Sequence, residues 1–139
     1  MTSSPDAPRF FLDRGLGAHI VPAGLRAAGW FVTTMDESYG ADASQHIADV
    51  DWIAEASQRG ESLLSKDSAV ARRPAEAVAV VMNDARFFAL ANARVTGPEI
   101  LQCFLTNEVA IFRWATRVTP PFVVAVGPDW VRRRRLAVH

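Results

Sequence analysis

Short apolar runs alternate with stretches of helical spacing along nearly the whole chain. Phe10-Phe11-Leu12 makes the first run, Phe31-Val32 the core of the second, and Leu63-Leu64 the third. Arg86–Leu90 and Phe122–Val126 make the fourth and fifth. Each run has strand length and is rich in the aromatic and branched residues that favour a pleated, buried position. This predicts strands at 9–12, 30–34, 62–65, 86–90 and 122–126. Between them, Val21, Leu25 and Ala28 fall on one helical stripe, with Pro22 suited to a first turn and Gly29 to the end. Trp52, Ile53 and Ala56 share a face within 49–58, followed by Gly60. Pro74 opens a helix with Ala77, Val78 and Val81 on one side.

Further along, Thr96-Gly97-Pro98-Glu99 has the capping-box pattern, in which the Thr hydroxyl and the Glu carboxylate satisfy free backbone N–H groups. It starts a helix carrying Ile100, Phe104 and Leu105, which runs on or bends near Asn107 into Val109–Arg117 before Pro120 and Pro121 stop it. Met35–Ala48 lacks periodicity and reads as a loop with room for one helical turn.

Strands separated by helices imply parallel pairing, because a parallel pair needs a long crossover and right-handed crossovers predominate. The expected architecture is an α/β fold: a three-layer α/β/α sandwich around a mainly parallel sheet of about five strands. No repeat or linker divides it. Residues 1–8 read as a disordered N-terminus, 9–127 as one domain and 128–139 as a basic C-terminal tail.

Totals refine this reading. A chain of 139 residues, 50% hydrophobic, supports one domain with a real core. Its formal charge of zero argues against a protein that coats nucleic acid non-specifically, so any such contact must come from local patches. Cys103 is the only cysteine and forms no internal disulfide; a buried thiol in a reducing cytoplasm is the simple reading. Met1–Pro8 is polar, unlike a secretory signal, and no apolar run approaches the ~18 residues of a membrane span. The expected location is cytoplasmic.

Candidate chemistry rests on Asp13 and Asp67. Each stands just past an apolar run, so parallel strands would deliver both to the carboxyl edge of one sheet, where open α/β folds place their sites. Carboxylates brought together repel unless a cation or proton lies between them. A divalent-metal site hydrolysing a phosphodiester is therefore the first hypothesis. For each residue alone, capping a turn is the plainer role. Asp49, at the start of the 49–58 helix, is the third candidate. It equally suits the N-cap, where the helix dipole favours the anion a metal requires. Asp51 is the fallback, and Glu76 could reach the site, although a surface place in a first turn suits both. Ser65 could hydrogen-bond a ligating carboxylate. Lys66, Arg72 and Arg73 could meet phosphate oxygens. The Arg132–Arg135 run has the look of a solvated tail.

Other chemistries fail on spacing. Gly15 and Gly17 lack the third glycine of a dinucleotide fingerprint, since Ile20 stands there. His19, His46 and His139 have no zinc spacing. A phosphatase would want a second Asp where Gly15 stands, and a receiver-like domain would want paired acids early, where only Asp6 precedes Asp13.

The stretch Phe11-Leu12-Asp13-Arg14-Gly15-Leu16-Gly17, followed by Val21-Pro22, Leu25-Arg26 and Gly29, resembles the opening of PIN-like domains. Asp49-Val50-Asp51-Trp52-Ile53 and Arg59-Gly60 through Leu63-Leu64-Ser65-Lys66-Asp67 resemble their middle, and Pro120-Pro121-Phe122 their close. The nearest likeness is to the VapC-type toxins of bacterial toxin–antitoxin pairs. That resemblance implies an Mg²⁺- or Mn²⁺-dependent ribonuclease with Asp13, Asp49 and Asp67 as catalytic and metal-binding acids. It implies Ser65 as the hydroxyl of the Ser-x-Asp element, RNA as substrate and an antitoxin protein as partner. Arg14, Lys66, Arg72 and Arg73 would steer the RNA backbone. A fourth family acid is missing, because Ser68 and Ala69 follow Asp67. The alternative is a PIN-like interaction module without catalysis. Homodimerisation is an expectation from fold class alone.

Overall fold

The computed structural model describes residues 7–138. The expected disorder of the N-terminus concerns residues that mostly lie outside this range. Six strands form one sheet in the order β2-β1-β3-β4-β5-β6. These are β1 (Arg9–Leu12), β2 (Phe31–Thr34), β3 (Ser62–Ser65), β4 (Arg86–Leu90), β5 (Phe122–Val126) and β6 (Val131–Arg134). The first five are mutually parallel, and β6 runs antiparallel to β5. The sheet thus has one strand more than expected. The extra one lies in the arginine run read as a tail: Arg132, Arg133 and Arg134 pair with Ala125, Val124 and Val123. Charged side chains hide the strand signal, yet charge on an exposed edge strand is how sheets avoid pairing with other chains.

Six α-helices cover the sheet: α1 (Ile20–Ala27), α2 (Met35–Tyr39), α3 (Asp49–Gln58), α4 (Pro74–Met82), α5 (Gly97–Thr106) and α6 (Glu108–Arg117). The strand residues sort by parity, as the two-residue period of a pleat demands. Phe10, Leu12, Leu64, Phe88, Phe122 and Val124 pack with α1, α5 and α6. Phe11, Leu63, Phe87, Ala89 and Val123 pack with α3 and α4. On the second face Trp52 stacks on both Phe11 (5.6 Å between centroids) and Phe87 (6.0 Å). α3 is thereby anchored to β1 and β4 at one point.

The capping box at Thr96 forms as expected, with Thr96 N donating to Glu99 Oε1 and Glu99 N to Thr96 Oγ1. The helix bends at Asn107, whose amide nitrogen donates to the carbonyls of Cys103 and Gly127. Three local expectations are corrected. Phe31 is exposed, because β2 is the edge of the sheet. α4 buries Ala77, Ala79 and Val80, and leaves Val78 in solvent. Its residues are apolar on every side, so periodicity does not define its inner face. The supposed loop at 35–48 holds α2 and a 3-10 turn at Ala43–Gln45, the former started by a second capping box between Thr34 and Glu37. Among the described residues no helix is long and apolar enough to cross a membrane.

Candidate active site at the carboxyl edge

β1 and β3 are neighbours, so their carboxyl ends lie side by side. Pairing continues one residue past β1, with Asp13 N donating to Leu64 O at 2.9 Å. That bond fixes where Asp13 leaves the sheet. From β3, Ser65 projects its hydroxyl between the two acids. Ser65 Oγ donates to Asp13 Oδ2 at 3.0 Å and accepts from Asp67 N at 3.0 Å. One buried hydroxyl thus joins the two strand-end acids singled out by their matched placement. Asp67 also caps the 3-10 turn that follows, its Oδ1 accepting Ala69 N at 2.9 Å. Its plainer role is therefore real and compatible with the other.

Asp49 is the first residue of α3, and Ala48 holds the N-cap position without any side-chain cap bond. The N-cap role expected for Asp49 is not what forms. Its Oδ1 accepts Trp52 Nε1 at 3.0 Å, so the indole that fills the core also orients the carboxylate. Asp49 lies close enough to Asp13 for their charges to interact. Burial first, and the Asp49 charge after it, push the Asp13 carboxyl above the ordinary aspartate range, while the Ser65 hydrogen bond pulls the other way.

Arg73 crosses the other side of the site. Its Nη1 lies 2.7 Å from Asp67 Oδ2 and 3.7 Å from Glu76 Oε1, and its guanidinium also feels Asp49. The hydrogen bond to Asp67 raises its already high pKa. Glu76 therefore does approach the site, through Arg73. Asp51 is exposed in the first turn of α3. Arg72 is exposed and forms no ion pair among the described residues, and Lys66 stands beside Gly15. Arg14 Nη1 donates to Ser44 O (2.8 Å) and Ile47 O (3.2 Å), pinning the 44–47 segment over the end of β1.

Sequence reasoning missed Asp36. It shares a small cavity of about 70 Å³ with Asp13, Arg14 and Thr34, and its Oδ1 accepts Ser44 Oγ. The signal was available: Asp36 follows β2 as Asp13 follows β1, two residues beyond Thr34. Reading 35–48 as irregular concealed it.

The donors gathered here are carboxylate and hydroxyl oxygens, the set that suits hard Mg²⁺ or Mn²⁺. Among the described residues, however, no group of three or more acid, His or Cys side chains stands arranged to hold an ion. The acids fit such an ion by chemistry and by the mutual repulsion of Asp13 and Asp49. Asp67 fits it only when its Oδ2 leaves Arg73.

Comparison with known proteins places the chain in a family. The sequence model of a family described as "PIN like domain" matches residues 8–92, which include Asp13, Asp49 and Asp67. A Mycobacterium tuberculosis protein named "Putative ribonuclease VapC45" is 34% identical over 128 residues, covering 92% of each chain. No solved structure matches the chain. The family match spans more than half of the sequence, and the relative aligns across nearly its full length: the chain belongs to the PIN-like domain family.

Proposed function

We propose that the protein is a metal-dependent endoribonuclease, the toxin of a toxin–antitoxin pair, acting in the cytoplasm with an antitoxin protein as partner. The observation that carries this reading is the Asp13–Ser65–Asp67 bridge at the carboxyl edge, with Asp49 charge-coupled to Asp13. The name of the mycobacterial relative supports RNA as the substrate.

In this reading Asp13, Asp49 and Asp67 would hold Mg²⁺ or Mn²⁺, and the ion, when bound, would supply a more acidic water and a positive charge for the phosphoryl oxygens. The chain's own residues do the positioning. Ser65 helps fix the Asp13 carboxylate by donating to Oδ2. Trp52 does so for Asp49 by donating to Oδ1. Arg73, 2.7 Å from Asp67 and 3.7 Å from Glu76, is placed to exchange its carboxylate for a substrate phosphate, which its planar fork suits. Lys66 and Arg72, near the same edge, extend that cationic rim.

The test pairs Mg²⁺ or Mn²⁺ calorimetry with RNA cleavage on wild type and Asp13→Asn. Loss of both in the variant is expected. Full metal-dependent cleavage by Asp13→Asn would overturn the assignment. A second reading, an interaction module without catalysis, draws on the same ion pair: Arg73 already neutralises Asp67, and no three acids converge among the described residues. Wild type that binds no divalent ion would select it.

A further inference from the structure

At the opposite end of the sheet lies a cleft of about 700 Å³ lined by Arg9, Arg86 and Arg117. Parallel topology builds it. Arg9 begins β1, Ser62 begins β3 and Arg86 begins β4, and these three strands are neighbours. The amino ends of the strands therefore bring Arg9 and Arg86 within two strand spacings of one another, about 10 Å. The last turn of α6 closes the side with Arg117.

Three guanidinium groups gathered without counter-charge repel one another, and the described residues lining the cleft include no acid. None of the three arginines forms an ion pair among the described residues. Arg59, whose carbonyl accepts one N–H of Arg9, takes Glu61 for itself at 2.8 Å. Arg86 is half-buried, and its Nε is enclosed with no hydrogen-bond partner among the described residues. A buried charged donor left unpaired is unfavourable, and native structures rarely keep one without a water, ion or ligand to meet it. An anion with several oxygens would supply the counter-charge that the cleft lining lacks, and the planar fork of Arg favours phosphoryl oxygens. The cleft is far larger than a single phosphate needs.

We propose that this amino-edge cleft is a binding site for a polyphosphorylated ligand, separate from the acidic edge and independent of whether that edge cuts RNA. Two sources share the chemistry: successive phosphodiesters of an RNA strand, or a free oligophosphate such as a nucleotide carries. Each would lie across Arg9, Arg86 and Arg117, about a strand's length from Asp13.

The experiment is calorimetric titration of the folded full chain with inorganic pyrophosphate, and separately with a short single-stranded RNA, without divalent ions. Arg9 and Arg117 are exposed, so Arg9→Ala and Arg117→Ala test the site without disturbing the core. Arg86→Gln tests the buried donor. Pyrophosphate should bind wild type and Asp13→Asn alike, and lose about tenfold or more in affinity in each arginine variant, as for a lost charge-assisted hydrogen bond. If RNA loses affinity in the same variants and competes with pyrophosphate, the source is the nucleic-acid backbone. If only pyrophosphate depends on the arginines, the source is a free oligophosphate. No binding of pyrophosphate to wild type, or equal binding by wild type, Arg9→Ala and Arg117→Ala, overturns the proposal.

Discussion

The two ends of the sheet hold opposite charges and manage them differently. At the carboxyl edge each acid has a partner: Asp13 has Ser65, Asp49 has the Trp52 indole, and Asp67 has Ala69 N and Arg73. At the amino edge Arg9, Arg86 and Arg117 have no carboxylate among the described residues. Both ends arise from one cause, since parallel strands put every strand start at one pole and every strand end at the other. What differs is the supporting shell. Orienting bonds hold the acids where charge repulsion would scatter them, a preorganisation that suits chemistry. The arginines are gathered by backbone alone, an arrangement that suits capture of a mobile anion.

The strongest way to break the comparison is at Trp52, the link between core and acidic edge. Trp52→Ala should lose about 3–5 kcal/mol of stability, as a buried aromatic truncated to Ala does. Trp52→Phe, which keeps the stacking on Phe11 and Phe87, should lose far less. If Asp49 relies on the indole, Trp52→Phe still impairs metal binding. Urea denaturation and metal titration on the two variants separate these effects.

Asp13→Asn should reduce cleavage below detection while leaving the fold at least as stable as wild type. The sign follows from the raised Asp13 pKa. The folded state holds the Asp13 proton more tightly than the unfolded chain. Its favourable contribution is therefore complete below the ordinary Asp value of about 3.9, and is lost as pH rises through the folded value. Asparagine does not ionise, so the variant should gain stability relative to wild type as pH rises across that window. Urea midpoints measured for both proteins from acid to neutral pH check this. A constant difference would mean the carboxyl is not strained.

Ser65→Ala should remove about 1–3 kcal/mol, because it leaves the Asp67 N–H without its acceptor and Asp13 without its donor. It should also weaken metal binding by about 10–100-fold, the usual effect of losing a group that orients a ligand. The smallest effect is expected for Arg73→Ala. Arg73 and Asp67 are 46% and 39% exposed, so their ion pair should contribute less than about 1 kcal/mol to folding. Freeing Asp67 should nonetheless tighten Mg²⁺ binding while weakening RNA binding. If both weaken, Arg73 organises the acids and does not compete for them.

Much of this was legible without coordinates, for reasons that differ by element. β1, β3, β4 and β5 were readable because they are buried almost throughout and so read as continuous apolar runs, while the edge strand β2 was readable from Phe31-Val32 alone. The Thr96 capping box was readable because its determinants are local, whereas the sequence left open whether the helix runs on or bends near Asn107, whose side chain also bonds the distant Gly127 carbonyl. β6 was not readable, since its unbroken run of arginines looks solvated until β5 provides a partner. Asp36 carried a signal, an acid just past β2, but the irregular look of 35–48 hid it, and only the fold sets it across a cavity from Asp13. The Asp49 bond to Trp52 replaced the expected N-cap because the indole, locked between Phe11 and Phe87, had an N–H to satisfy.

The sequence by itself determined the element types and the positions of Asp13 and Asp67 at strand ends, because hydrophobic period and chain order are properties of neighbours. Only the tertiary structure decided that β1 and β3 lie side by side, and so that Ser65 bridges two acids 54 residues apart in sequence. It alone placed Arg73 on Asp67 and gathered Arg9, Arg86 and Arg117 at the far pole. Strand order is set by how apolar faces pack across the whole sheet, and no local stretch of residues carries that information.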